Sequence, residues 1–223
     1  MLSIYLLPVG SGRFELYSEP PEEHSSIEPG DGPFRRTFHG LGERWRETVQ
    51  SARRRDPAAG RLKRWRDWSV CRVAEMIAEQ RTLWSIRNEA AASFVYPSDL
   101  PESIALARRD RMLVHARRHH GIWTILDGTL FAASGVFMLI PGPNVLAYYF
   151  GVRAVSHYLS WRGARQALDR VQWETRSEPA LAELGRLVDV PRDARASRVQ
   201  AIAERLRLPR LVAFFDRAAV PVR

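Results

Sequence analysis

The most apolar part of the chain is the segment GIWTILDGTLFAASGVFMLI (residues 121–140), PGPN (141–144) and VLAYYFGVRAVSHYLSW (145–161). Its first arm contains 20 residues and a single charge, and about 20 apolar residues are enough for an α-helix to cross the hydrocarbon core of a bilayer. Two prolines interrupt helical hydrogen bonding between the arms. The pattern therefore predicts a helical hairpin whose turn is formed by Pro141, Gly142, Pro143 and Asn144.

The charges that flank the two arms have the same sign. Five arginines and three histidines lie between Arg108 and His120, and Arg162, Arg165 and Arg170 follow the second arm. Under the positive-inside rule, both flanks would stay on the cytoplasmic or matrix side while the turn enters the bilayer. A buried hairpin in a soluble all-α domain would be equally apolar, so the alternative interpretation is a protein core.

Three ionisable residues, Asp127, Arg153 and His157, interrupt the apolar arms. Asp127 lies fifteen residues before Gly142 and His157 fifteen residues after it, so antiparallel helices would bring them to the same depth. Tyr149, Arg153 and His157 recur every four residues and share one helix face. We expect these four side chains to form a network that relays protons or holds a hydrated monovalent cation. The alternative is an ion pair that only neutralises charge inside a core.

The overall charge favours a polyanionic partner. The formal net charge is +9 and the pI is about 10.6, which suits anionic lipid, or nucleic acid as the less favoured partner. Lys63 is the only lysine, and such a bias toward arginine is also typical of a GC-rich genome. Cys71 is the single cysteine, which excludes an intramolecular disulfide. Five arginines are candidates for anion or lipid contact: Arg61, Arg64, Arg66, Arg117 and Arg118.

The fold predicted from these patterns is mainly α, a helical bundle with a central apolar helical hairpin and a short N-terminal β-hairpin. Strand-forming residues at Leu2–Leu7 and Arg13–Tyr17 flank a Gly-rich turn. The predicted organisation is a β-hairpin (1–18), an acidic flexible linker (19–33), basic amphipathic helices (34–96), the long helical hairpin (97–175, with helix to about Thr175) and C-terminal helices (176–223).

No enzymatic motif is present in the sequence. It contains no nucleophile elbow, P-loop, dinucleotide glycine fingerprint or HExxH zinc motif. His115 and His119 have the i, i+4 spacing of a metal pair and His120 is adjacent, but Arg117 and Arg118 beside them would repel a cation. We therefore expect no enzyme activity, no metal and no cofactor.

The string IPGPNVLAYYFGVRAVSHYLSWRGARQAL (140–168) resembles the mitochondrial potassium/proton exchange-related family. IYLLPV (4–9) and VQAIAERLRLPRLVAFFDR (199–217) are similar to the two ends of that family. The resemblance is carried by Pro141, Pro143, Asn144, Tyr149, Arg153, Ser156, His157 and Tyr158.

The resemblance implies a membrane-associated helical protein related to potassium/proton exchange, either as a transport component or as a regulator. One hairpin cannot enclose a pore, so a transport role requires a homo-oligomer or a companion membrane protein. The alternative is a soluble basic α-helical adaptor that binds nucleic acid or anionic lipid. Since the N-terminus lacks the pattern of a transit peptide, we expect a bacterial cytoplasmic membrane, or the mitochondrial inner membrane in a eukaryote.

Overall fold

The computed structural model describes residues 1–10, 12–19, 82–134 and 145–219, without the side chains of residues 145–148. This part of the chain is mostly helical and contains a four-stranded sheet. Residues 82–86 are helical. The strands are β1 (Leu2–Gly10), β2 (Arg13–Tyr17), β3 (Ala91–Pro97) and β4 (Gln172–Glu178), and the further helices are α1 (Glu102–Ser134), α2 (Val145–Asp169), α3 (Pro179–Arg186), α4 (Arg192–Leu206) and α5 (Leu211–Ala218).

The sheet has the strand order β2-β1-β3-β4. The pair β1–β2 is the predicted antiparallel N-terminal hairpin, whereas β1–β3 and β3–β4 are parallel. The apolar run of β1 is buried along most of its length, as expected for a strand covered on both faces. The hairpin is therefore part of a larger sheet, in which β1 is a central strand.

Helices cover both faces of this sheet. Since successive side chains of a strand point in opposite directions, the residues of β1 contact the two helical layers alternately. Tyr5, Leu7 and Val9 pack with residues of α3, α4 and α5, including Leu184 and Phe215. The alternate residues of β1, Ile4 and Leu6, belong to two other clusters. These clusters also contain residues of β3, α1 and α2: Ala92, Phe94, Ala105, Leu113 and Ala167.

Helices α1 and α2 form the connection between the parallel strands β3 and β4. They pack antiparallel: Gly121 of α1 lies against Trp161 of α2, and Gly151 of α2 lies against Phe131 of α1. A Cβ atom at either glycine would lie 3.1 Å from the opposing ring. Both glycines therefore allow the close approach of an aromatic side chain from the other helix.

The apolar character predicted for this hairpin is not confirmed. Large apolar side chains such as Ile122 and Ile125 are exposed on α1, while Asp127 is buried. The predicted turn at residues 141–144 lies outside the described residues. Within the described ranges, no helix has both the length and the hydropathy needed to cross a membrane.

The predicted mainly helical character is confirmed, but the predicted helical bundle is wrong at two strands, β3 and β4. Residues 34–96 were expected to be helical, but of their described part only residues 82–86 are in a helix, and β3 occupies Ala91–Pro97. A short apolar run buried on both faces has no periodicity that separates a strand from a helix. The expected helix up to Thr175 ends instead at Asp169, and Gln172–Glu178 form the edge strand β4. Since β4 is almost entirely polar and exposed, its sequence carries no apolar alternation, and its pairing with β3 forms the strand.

Helical residues 82–86 lie against the C-terminal half of α2. Trp84 Nε1 donates a hydrogen bond of 2.9 Å to Ser160 Oγ. A Cβ atom at Gly163 would lie 1.8 Å from the Leu83 carbonyl oxygen. This backbone contact requires glycine at position 163.

We expect Gly163→Ala to lower the free energy of unfolding by about 2 kcal/mol or more, because the backbone of residue 83 must move. The matched control is Gly128→Ala on α1, where an added Cβ meets nothing within 4 Å. That variant should raise the free energy of unfolding by about 0.5–1 kcal/mol through the higher helix propensity of alanine. Urea unfolding followed by circular dichroism measures both, and effects of the same sign and size would contradict the contact at Gly163.

Candidate functional site

A group of polar side chains, buried at Asp127 and His157 and exposed at Tyr149, lies between α1 and α2. We call it the hairpin cluster and define it as Asp127 and His120 of α1 with Tyr149, Arg153 and His157 of α2. Asp127 is 1% exposed. Its Oδ2 atom lies 3.3 Å from Arg153 Nε and 3.6 Å from His157 Nε2. The structure thus brings together the four residues that the sequence placed in one network; their role in proton or cation handling remains a prediction.

Arg153 compensates the charge of Asp127. Its Nε donates to Asp127 Oδ2, and its Nη1 donates to the Tyr149 hydroxyl at 3.0 Å. The guanidinium carbon lies 5.3 Å from the ring centre of Trp123 and 5.4 Å from that of Tyr149. Because a buried carboxylate is strongly unfavourable without a partner, this guanidinium supplies the compensating group that Asp127 requires inside the hairpin.

The two histidines of the cluster are directly hydrogen-bonded. His120 Nδ1 and His157 Nδ1 lie 2.9 Å apart, so one of these atoms carries a proton and the other accepts it. An ionised carboxylate can only accept, which favours the tautomer of His157 with its proton on Nε2, facing Asp127. In that assignment His120 Nδ1 donates to His157 Nδ1, and the N–H groups point in sequence from His120 to His157 to Asp127.

Burial favours the neutral form of both imidazoles. It lowers the pKa of His120 to about 4, helped by repulsion from His157, His119 and His115. Burial also lowers the pKa of His157, where Asp127 acts in the opposite direction and Arg153 and His119 add to the lowering. A pair of neutral imidazoles can accept a proton at one ring nitrogen while releasing one from the other.

The sequence patterns place His120 only in a rejected metal group and do not predict its hydrogen bond to His157. A usable signal was present, because residues seven apart lie on the same face of a helix and His120 precedes Asp127 by seven residues. Trp123 precedes Asp127 by four residues and so lies on the same face of α1. Its ring stacks with that of His157, with 6.1 Å between the ring centres.

The remaining candidate residues fall in two places. Arg117 and Arg118 lie on α1 beside a groove that contains Arg165 of α2. The other anion or lipid candidates, Arg61, Arg64 and Arg66, lie outside the described residues. Among the residues that the structure describes, no group of three or more histidine, cysteine, aspartate or glutamate side chains could hold a metal ion.

The fold and the site define a mainly helical α/β protein whose helical hairpin encloses a carboxylate, a guanidinium and two imidazoles. The model of the family described as mitochondrial K+-H+ exchange-related matches residues 44–171, which is more than half of the chain. The protein therefore belongs to that family. The match includes the whole hairpin cluster but neither end of the chain. Neither the curated proteins nor the solved structures that were searched give a match.

We expect stability to fall as the pH is lowered from about 6.5 towards 4. In this range a histidine of the unfolded chain binds a proton, whereas His120 of the folded chain does not, because its pKa is about 4. Lowering the pH therefore stabilises the unfolded state relative to the folded state. Because His120 keeps partial contact with solvent, the loss assigned to it should be on the order of 1–2 kcal/mol.

Urea unfolding at a series of pH values measures this effect. The variant His120→Gln should flatten the pH dependence between pH 6.5 and 4, whereas His115→Gln, an exposed position on the same helix, should keep the wild-type slope. An unchanged slope in His120→Gln would show that this imidazole is not held neutral by the fold.

Proposed function

We propose that the protein takes part in potassium/proton exchange at a membrane and that the hairpin cluster is the group that accepts and transfers the proton. The observation that carries this proposal is that the side chains of His120, His157 and Asp127 lie next to one another in a row. His120 Nδ1 lies 2.9 Å from His157 Nδ1, and His157 Nε2 lies 3.6 Å from Asp127 Oδ2. It is supported by the family to which the chain belongs.

The transfer involves one proton and three side chains. A proton that binds Nε2 of His120 allows the Nδ1 proton of that ring to move to Nδ1 of His157. The Nε2 proton of His157 then moves to Asp127 once a small side-chain shift closes the 3.6 Å gap. The net result is one proton on Asp127 and two neutral imidazoles, each in its other tautomer.

Protonation of Asp127 changes the charge of the hairpin interior. The ionised carboxylate and Arg153 together carry no net charge, whereas the protonated acid leaves the Arg153 guanidinium uncompensated. Arg153 is partly exposed, so its side chain can turn towards solvent or towards an anionic group. Proton uptake is thereby linked to the position of one guanidinium, which gives the cluster a means of signalling its state to a partner.

The membrane part of the proposal is supported by apolar surface on the hairpin. Several large apolar residues of α1 and α2 are exposed, and exposed apolar surface of this kind marks interaction sites with proteins or membranes. We propose the mitochondrial inner membrane in a eukaryote or the cytoplasmic membrane in a bacterium, with further copies of the chain or a companion membrane protein completing any ion path. The exposed residues from position 122 onward are Ile122, Ile125, Leu126, Leu130, Phe131, Tyr149, Val155 and Tyr158.

We expect Asp127→Asn and His157→Gln each to reduce potassium-dependent proton flux at least about tenfold, because each removes a proton-accepting atom from the transfer order. Flux is measured with a pH-sensitive dye in membrane vesicles from cells that express the full chain. The matched control is Asp110→Asn, which changes an exposed aspartate on α1 that pairs with Arg109, and it should keep wild-type flux.

A loss of folding must be distinguished from a loss of proton transfer. Asp127→Asn leaves Arg153 unpaired, so the double variant Asp127→Asn, Arg153→Met serves as a second test, since replacing both members of a buried ion pair is often tolerated. It should fold and still lack flux. Wild-type flux in both Asp127→Asn and His157→Gln would contradict the proposed role of the hairpin cluster.

A further inference from the structure

A groove with a volume of about 610 Å³ runs along the hairpin and uses residues of both α1 and α2. Its positions on α1, among them 118, 122 and 125, lie on a different side of that helix from positions 120, 123 and 127, which face the hairpin cluster. The groove is therefore a surface feature separate from the cluster. Six of the side chains that line it decide its chemistry: Arg117, Arg118, Ile122, Ile125, Tyr158 and Arg165.

One end of the groove carries more positive than negative charge. Arg117 and Arg165 both pair with the same carboxylate, that of Asp169, at 3.5 and 3.6 Å. Arg118 is exposed and forms no ion pair with any residue that the structure describes. Among the described residues, one carboxylate therefore pairs with two of these three guanidinium groups, and the surplus positive charge favours a bound anion.

The rest of the groove is apolar and exposed. Ile122 is 57% exposed and Ile125 is 73% exposed. Tyr158 and Trp161 pack against each other with ring centres 5.9 Å apart, and Arg165 lies 5.5 Å from the ring centre of Trp161. Tyrosine, tryptophan and arginine beside apolar residues are the combination found where proteins meet the headgroup region of a bilayer.

The two ends of the groove together specify the occupant. A free phosphate or a nucleic acid would use the arginines and leave both isoleucines in water. An apolar helix of another protein would cover the isoleucines and leave the surplus charge without a partner. A molecule that matches both ends has an anionic headgroup directly joined to a hydrocarbon chain.

We infer that this groove binds an anionic phospholipid, with the headgroup phosphate at Arg117, Arg118 and Arg165 and an acyl chain along Ile122, Ile125 and Tyr158. The inference rests on the membrane part of the proposed function and adds the lipid class and the residues that recognise it. Because the groove and the hairpin cluster lie on different sides of α1, lipid binding and proton transfer can be tested separately.

The first test compares binding of the purified full chain to vesicles of phosphatidylcholine with and without phosphatidylglycerol. The triple variant Arg117→Gln, Arg118→Gln, Arg165→Gln should bind the anionic vesicles about a hundredfold more weakly, since each arginine near such a surface contributes a factor of roughly five. The matched control is Arg192→Gln, Arg198→Gln, Arg205→Gln. It makes the same change in net charge on α4, where Arg192 and Arg205 also pair with carboxylates and Arg198 is exposed.

The second test addresses the apolar end. Ile125→Ser should weaken the binding that remains at high salt, where screening removes the electrostatic part, whereas Ile104→Ser, an exposed isoleucine at the start of α1, should not. The wild-type chain should bind anionic vesicles far more tightly than neutral ones.

Three outcomes would overturn the inference. Equal losses in the two triple arginine variants would show that only net charge attracts the chain to the vesicles. Equal binding by Ile125→Ser and wild type would show that no acyl chain lies in the groove. A change from dimer to monomer in Ile125→Ser, measured by light scattering with vesicle binding unchanged, would assign the groove to a second copy of the chain. Asp127→Asn should bind vesicles like wild type, so the failure of this inference is distinguishable from the failure of the proposed proton transfer.

Discussion

The burial of the Asp127 carboxylate is the constraint on which the hairpin depends. A charge that is only 1% exposed requires partners, because its loss of hydration is not otherwise compensated. Arg153 and His157 supply them from the opposite helix, and they can do so only if α1 and α2 pair in one register. The close contacts at Gly121 and Gly151 belong to that same register. Charge compensation and helix packing therefore select the same arrangement.

The sheet holds the base of the hairpin in place. Because β3 and β4 are parallel, the end of β3 that leads to α1 and the start of β4 that follows α2 lie at opposite ends of the strand pair. Helix α1 therefore packs first on one face of the sheet, through Ala105 and Leu113, and α2 ends on the same face at Ala167. Helical residues 82–86 add a second attachment at Gly163. The polar cluster thus lies between two helices whose bases are fixed by the sheet, so that the separations between its nitrogen and oxygen atoms do not depend on the cluster alone.

Part of this arrangement could be predicted from the sequence. Counting residues on either side of Gly142 was enough to bring Asp127 opposite His157, because both helices rise by the same distance per residue. The same count does not place His120 beside His157, because His120 lies two helical turns before Asp127 on α1. The strand β4 could not be predicted, since nearly all of its residues are polar and exposed. Its structure comes from pairing with β3, which lies 75 or more residues earlier in the chain.

The most direct test of the account is the protonation state of the two histidines in the folded chain. Nitrogen-15 NMR of the imidazole side chains at neutral pH distinguishes the two neutral tautomers from the imidazolium ion. We expect His157 to be neutral with its proton on Nε2 and His120 to be neutral with its proton on Nδ1. A charged imidazolium at either position, or His157 signals that do not change in Asp127→Asn, would contradict an ordered proton path through the hairpin.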